Sequence, residues 1–430
     1  MALDLAEKLL RQRLLEGQTM MEEAIKGFVT AQQRFVIFFG FSSTVILVQI
    51  VSCCAIVLPS FAQSPQPRKM EKMNPPAFVS LIDRYIAQGG FAGVAVIAAQ
   101  HGKIVIQHYA GYAAPGLPAA ATTLWPLASI SKVYTAAMIM RLVEQGELTL
   151  SRPAHHLLPA FTGEGREQIR LRHLLTHTAG MIYESPVMEE RLAAQTPRAA
   201  FVEEMIQAPL VFQPGTAFAY ADYHYLLAGC MAEAVTGMDF ADLVDEWLLR
   251  PMGLHDTYLR PPASVSHRLA KVRGVMAEGT AGAMYNSPYA LALAHPAFGA
   301  VATARDLLHF ALHFAPTGPR LHSPATLRAM TTDQTGGVGP FGEQMGLPPH
   351  ARVPWGIGFA LKSAWMPNGF ADLASLRTYG HGGASGCQLV IDPEADAVIV
   401  LITNTHARTG REQWYMRLQS ILNSVFAVLN

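Results

Sequence analysis

In the run WPLASISKVYTAAMIMRL, from Trp125 to Leu142, a serine and a lysine stand three residues apart, Ser129 and Lys132. A serine hydroxyl is a poor nucleophile at neutral pH unless a nearby base takes its proton. Residues i and i+3 share a face at a helix start, so the Lys132 amine can reach the Ser129 hydroxyl. A lysine kept from water favours its neutral form and then serves as a base near pH 7. A helix N-terminus also favours negative charge developing near the serine. Ser-x-x-Lys recurs by chance, and Ser129 read alone is equally a helix N-cap. What separates the readings is the sequence that follows. Val133, Ala136, Ala137, Met138, Ile139 and Met140 leave almost no polar face, which predicts a buried helix. A charge at the start of a buried helix needs a reason.

The elements that must hold these residues are legible at both ends of the chain. A helix is predicted around Ala77–Gln88, followed by two β-rich runs, Val94–Ala99 and Lys103–Gln107, joined by a turn at Gln100-His101-Gly102. Near the other end, CQLVID and AVIVLITN flank a PEAD turn and predict a second hairpin. An amphipathic helix over Arg411–Leu429 closes the chain. Strands at both ends with helices between them predict one antiparallel sheet closed by the two termini. Residues Leu148–Leu291 form a second, mostly helical lobe on this reading, with a cleft between lobes where small-molecule sites tend to lie.

Composition narrows the class of partner. The 430 residues are 50% hydrophobic and 15% charged, with 32 basic against 32 acidic side chains. Zero formal charge and no basic stripe speak against nucleic acid. The four cysteines are no disulfide scaffold and no zinc pattern, and they leave a single Cys230–Cys387 bridge open. His309 and His313 lie four apart, without the further ligands a metal would need. The N-terminus divides into an extension (1–34), an export signal or membrane anchor (35–62) and a Pro/Gln/Ser-rich linker (63–76), ahead of a folded domain (77–430). The apolar run Phe35–Leu58 is about long enough to span a bilayer, and Ser60-Phe61-Ala62 resembles a signal-peptidase site. Export, periplasmic or extracellular, is the expectation, with anchoring through 35–58 as its variant.

Several segments, in order, carry a more specific likeness. PLASISKVYTAAMIMRLVEQGELTL is joined by IRLRHLLTHTAGM, by FQPGTAFAYADYHYLLAGCMAEAVTG, by WGIGFAL and by YGHGGASGCQLVIDP. Together they resemble the penicillin-recognising serine hydrolases, most of all the branch of class C β-lactamases, D-alanyl-D-alanine carboxypeptidases, D-aminopeptidases and related esterases. The resemblance runs from about Phe78 to Leu429. It implies a β-lactamase-like α/β fold, with an antiparallel sheet flanked by helices and a mostly helical second lobe. It implies that Ser129 is the acylated nucleophile and that Lys132 and Tyr220 share the proton transfers. His381, Gly383 and Ala384 fall on the strand motif that lines the substrate. The Ser129 and Ala384 amides would form the oxyanion hole, and the glycines would let substrate lie against the strand edge. No cofactor is implied. The expected substrate is a small ester, amide or short peptide.

One position departs from the pattern. Where the family usually has Asn two residues after the tyrosine, this chain has Asp222. An ionised Asp only accepts hydrogen bonds, so a donor to a substrate carbonyl is lost. Asp222 would position Lys132 and raise its pKa, or else receive a cationic substrate amine. The His-x-Gly strand motif favours an esterase or a D-amino-acid peptidase over a β-lactamase. A non-catalytic protein that holds cell-wall fragments in the same cleft is the alternative from another class. His173 and His177 are expected to be structural and near the cleft, Arg305 and Asp306 to form a local ion pair or cap, and Tyr183 and Glu184 are candidates to touch substrate.

Overall fold

The structure, a computed structural model, describes residues 76–342, 347–364 and 369–429. The predicted extension, export or anchor segment and all of the linker but Pro76 lie outside the described residues. Among the described residues, no helix is long and apolar enough to cross a membrane.

Helix α1 (Ala77–Ala87) leads into strands β1 (Gly93–Gln100) and β2 (Lys103–Ala114), with the short β3 (Leu117–Pro118) after them. At the far end, β7 (Ala360–Leu361), β8 (Tyr379–Gly383), β9 (Cys387–Asp392) and β10 (Ala397–Thr403) precede a C-terminal helix, Arg411–Phe426. The strands form one seven-stranded antiparallel sheet in the order β3-β2-β1-β10-β9-β8-β7. The two ends of the domain meet at its centre, with Val94 opposite Thr403 and Gln100 opposite Ala397. Both hairpins and both terminal helices read from the sequence are present.

The central strands are buried on both faces, and period-two alternation divides them between two cores. Val94, Val96, Ala98, Ile399 and Leu401 pack with Phe78 and Ile82 of α1 and with Trp414, Leu418 and Ile421 of the C-terminal helix. Ala95, Ile97, Ala99, Val398, Val400 and Ile402 belong to the larger core that includes the helical lobe. Asn404 ties sheet to lobe: its amide donates to the carbonyls of Tyr112, Ala113 and Lys271, and its oxygen accepts the Gly93 N–H at 2.7 Å.

In the lobe, helix α2 (Ser131–Glu144) follows a 3₁₀ turn at Ala128–Ile130 and is buried at every position from Ser131 to Met140. Helices α3 (Leu171–Leu175) and α4 (Asp222–Thr236) pack against each other, and α4 lies across α2. A small three-stranded sheet pairs β4 (Trp125–Pro126) with β6 (Val301–Ala302), and β6 with β5 (Thr257–Tyr258). The Cys230–Cys387 bridge left open by the sequence does not form. Both thiols are free and buried, one in α4 and the other in β9. His313 is not set out for a metal either: it is buried and hydrogen-bonds His322 at 2.8 Å and the Pro319 carbonyl.

Candidate active site

Ser129 sits on the 3₁₀ turn rather than in the α-helix, and it caps nothing. Ala128 before it has φ of 45°, a left-handed conformation that costs a non-glycine residue energy and persists where surroundings hold it. The surroundings here are specific. Ser131 Oγ donates to the Ala128 carbonyl at 2.6 Å and accepts the Ala300 N–H at 2.9 Å, and Leu127 N–H donates to the Ala300 carbonyl. The turn that presents the hydroxyl is therefore clamped to the Val301–Ala302 strand.

Lys132 is fully buried one turn into the helical path. Its Nζ has three neighbours: Ser129 Oγ at 3.2 Å, Asp222 Oδ1 at 2.5 Å and the Ala297 carbonyl at 3.1 Å. A neutral amine has two protons and one lone pair. The carboxylate and the carbonyl can only accept, so they take the protons and the lone pair is left for the Ser129 hydroxyl. Burial holds the lysine's pKa below its ordinary value, while Asp222, the second influence, raises it. The charge of Asp222 thus pulls upward, and desolvation pulls harder.

Asp222 is the first residue of α4, where the helix dipole favours a carboxylate. Its amide donates to the Tyr183 carbonyl at 2.7 Å, which brings the Tyr183–Glu184 loop alongside. Glu184 is half-buried, and its pKa rises to about 8, first through burial and then through the charge of Asp222. Tyr220 is half-buried, Ser129 is near enough to lower its pKa slightly, and its ring centroid lies 4.8 Å from Lys132 Nζ. Burial and then Asp222 push its phenol well above the usual range, so it stays a neutral phenol rather than a standing phenolate.

The opposite wall is β8. His381 donates through Nδ1 to the Gly382 carbonyl at 2.7 Å, which leaves the lone pair on Nε2. That Nε2 is buried and has no hydrogen-bond partner among the described residues. Burial, then Lys132, hold the imidazole near a pKa of about 3, so it is neutral at ordinary pH. Its ring lies beside Tyr220 and edge-on to Trp355. Strand β7 pairs only with Tyr379 and Gly380, so the edge of β8 from His381 to Gly383 is not covered by that strand. Gly383 has a packing reason to be glycine as well. A Cβ there would come within 2.3 Å of the Leu127 carbonyl, so the approach of the Ser129 turn itself demands glycine. Ser385 Oγ donates to the Pro126 carbonyl at 2.6 Å and fixes Ala384 beside the same turn.

The Beta-lactamase family model matches residues 78–421, four-fifths of the chain. The protein belongs to the Beta-lactamase family. Two relatives and one solved structure are similar to it. A putative D-alanyl-D-alanine carboxypeptidase of Escherichia coli O157:H7 is 26% identical over 370 residues, 75% of this chain and 81% of the relative. Esterase EstB of Burkholderia gladioli is 31% identical over 194 residues, 41% of this chain and 49% of the relative. The D-amino acid amidase of Ochrobactrum anthropi SV3, solved with L-phenylalanine amide, shares the fold with a TM-score of 0.65 at 20% identity, over 81% of this chain and 97% of that one. This family member is accordingly a hydrolase with the β-lactamase-like fold read from its motifs.

Most residues singled out in the sequence converge here: Ser129, Lys132, Tyr220 and Asp222 meet on one wall, His381 faces them, and Glu184 lies beside Asp222. His177 lies beneath Tyr220, whereas His173 caps α3 by accepting the Arg170 N–H. Arg305 and Asp306 are remote: Thr303 caps their helix, and Asp306 accepts from Asp256 N–H. The sequence reading missed the Ala297 and Leu127 carbonyls, which carry no side-chain signal, and Trp355, which stands inside the quoted segment WGIGFAL and is distinguished there by nothing but its family position.

Proposed function

We propose that this hydrolase cleaves small esters or amides, including D-amino-acid amides and peptides, through an acyl-enzyme on Ser129. The Ser129 proton passes to the Lys132–Tyr220 pair as Oγ bonds to the carbonyl carbon. The resulting oxyanion lies between the Ser129 and Ala384 amides, and the proton then goes to the leaving oxygen or nitrogen as its bond to carbon breaks. Water repeats the sequence and frees Ser129. The observation that carries this reading is the environment of Lys132 Nζ, whose two pure acceptors direct its lone pair at Ser129. Asp222 has a part in it that asparagine would not: it stabilises the ammonium ion that forms in the transition state, at the cost of a smaller neutral fraction beforehand. The uncovered edge of β8 and the neutral His381 are where substrate would lie. The esterase, carboxypeptidase and amidase relatives set the range of substrates. We place the protein outside the cytoplasm, exported or anchored through residues 35–62. Sequencing the mature N-terminus tests that placement: Gln63 as first residue supports cleavage, and an intact start on soluble protein contradicts both forms.

A panel of p-nitrophenyl esters, D- and L-amino-acid anilides and nitrocefin tests the activity. Turnover of esters or D-anilides, lost in Ser129→Ala, is expected. Turnover of nitrocefin alone would overturn the substrate class, and no turnover by folded protein would favour a non-catalytic binder of cell-wall fragments.

A further inference from the structure

Beneath Tyr220 lies a buried pair of imidazoles that the reaction as described does not use. His177, in the loop after α3, and His224, in the first turn of α4, are both completely shielded from solvent. Their Nδ1 atoms are 3.1 Å apart. His177 Nδ1 also receives the Ala221 N–H at 3.2 Å, and the His177 carbonyl receives the Ala219 N–H at 2.9 Å. The two residues that flank Tyr220 are thus both held by one histidine. The same histidine lays its ring under the phenol, with centroids 4.3 Å apart and planes inclined by 32°. His177 adopts φ of 57°, a left-handed conformation that this triple attachment must maintain.

The hydrogen bonds fix the protons. A backbone amide only donates, so His177 Nδ1 is the acceptor and the His177 proton is on Nε2. His224 Nδ1, facing the same lone pair, must then carry its own proton and donate. Burial keeps both rings neutral, as this arrangement requires. A protonated His177 would lose the Ala221 bond and set a second cation near Lys132.

We propose that His177, fixed as its Nε2–H tautomer by His224, is a positioning residue that sets the register of Tyr220 against Ser129. It touches neither substrate nor the reacting atoms; it acts by gripping the backbone on both sides of the tyrosine. Asp222 follows directly on this grip, so the same clamp sets the carboxylate beside Lys132. The inference rests on the proposed role of Tyr220 in proton transfer.

The test separates a hydrogen-bonding clamp from mere filling of space. Asparagine places its oxygen where Nδ1 stands, whereas glutamine is nearer to histidine in length but reaches towards Nε2, which has no partner among the described residues. His177→Asn is expected to keep kcat within about tenfold of wild type, the loss of one modest hydrogen bond. His177→Gln is expected to lower kcat about 100-fold with KM little changed, since misplacing a reacting group by about 1 Å has that effect. A glutamine variant as active as the asparagine one would overturn the proposal. A second measurement needs neither turnover nor a variant that folds. In ¹⁵N-histidine spectra of the full chain, His177 should show an unprotonated Nδ1 and His224 a protonated one. The reverse assignment overturns the clamp whatever the enzyme's activity, and an inactive wild type with the expected tautomers would refute the catalytic reading alone.

Discussion

The two walls of the cleft are built on opposite principles. On the helical wall the polar groups closest to Ser129 are held by several partners. Lys132 has three partners, Asp222 is fixed through both backbone and side chain, and the Tyr220 ring lies against Lys132 Nζ. On the strand wall, β8 presents an edge that β7 leaves uncovered and a buried imidazole nitrogen without a partner. A saturated site moves protons along fixed paths with little reorganisation, whereas unsatisfied groups wait for something to satisfy them. Chemistry belongs to the first wall on this reading, and selection of substrate to the second.

The largest effect should follow from breaking the saturated wall. Lys132→Met preserves length and removes the base, and kcat/KM should fall about 10³- to 10⁴-fold. A fall below tenfold would move the base elsewhere. Gly383→Ala attacks the seam where the walls touch. Its methyl group meets the Leu127 carbonyl, and overpacking of this kind costs about 1–3 kcal/mol. Thermal unfolding should therefore shift down by several degrees, with activity reduced because the displaced carbonyl precedes the turn that carries Ser129. An unchanged melting temperature would mean that β8 yields freely.

Asp222→Asn sharpens the comparison through pH. The base must be unprotonated, so activity rises as pH passes the Lys132 pKa. Asp222 raises that pKa, and its removal should move the rising limb to lower pH. The plateau should drop about tenfold because the ammonium formed in the transition state loses its counter-charge. A limb that stays in place would exclude Lys132 as the titrating group. The smallest effect is expected on the strand wall. His381→Ala should raise KM by a few-fold, unequally among substrates, while kcat changes less, as one neutral hydrogen bond is worth about 1 kcal/mol. A uniform collapse of kcat would place His381 in the proton path.

How far the sequence revealed this contrast depends on where each wall keeps its information. The helical wall is written in side chains. The nearly apolar run after Lys132 predicted burial, and burial is what lowers its pKa. The hairpins and terminal helices were legible because alternation and amphipathicity are local signals. Contacts made through backbone were not legible. The Ala297 carbonyl reaches Lys132 across 165 positions, and nothing in an alanine announces it. The same holds for Leu127, whose carbonyl gives Gly383 a packing reason that the sequence had assigned to substrate. Ser129 and Lys132 were read as one helical face, and they do touch, but across a 3₁₀ turn held by Ser131. The pairing of His177 with His224 joins α4 to a loop 47 positions earlier and has no pattern to reveal it.

The central claim is that Ser129 alone becomes covalently modified, through a base already aimed at it. Its most direct test is to treat the full chain with a fluorophosphonate at neutral pH and to locate the adduct by peptide mass mapping. The account predicts one adduct per chain, on Ser129, absent from Ser129→Ala and formed far more slowly in Lys132→Met. A folded wild-type protein that takes up no reagent, or takes it up at another residue, would contradict it.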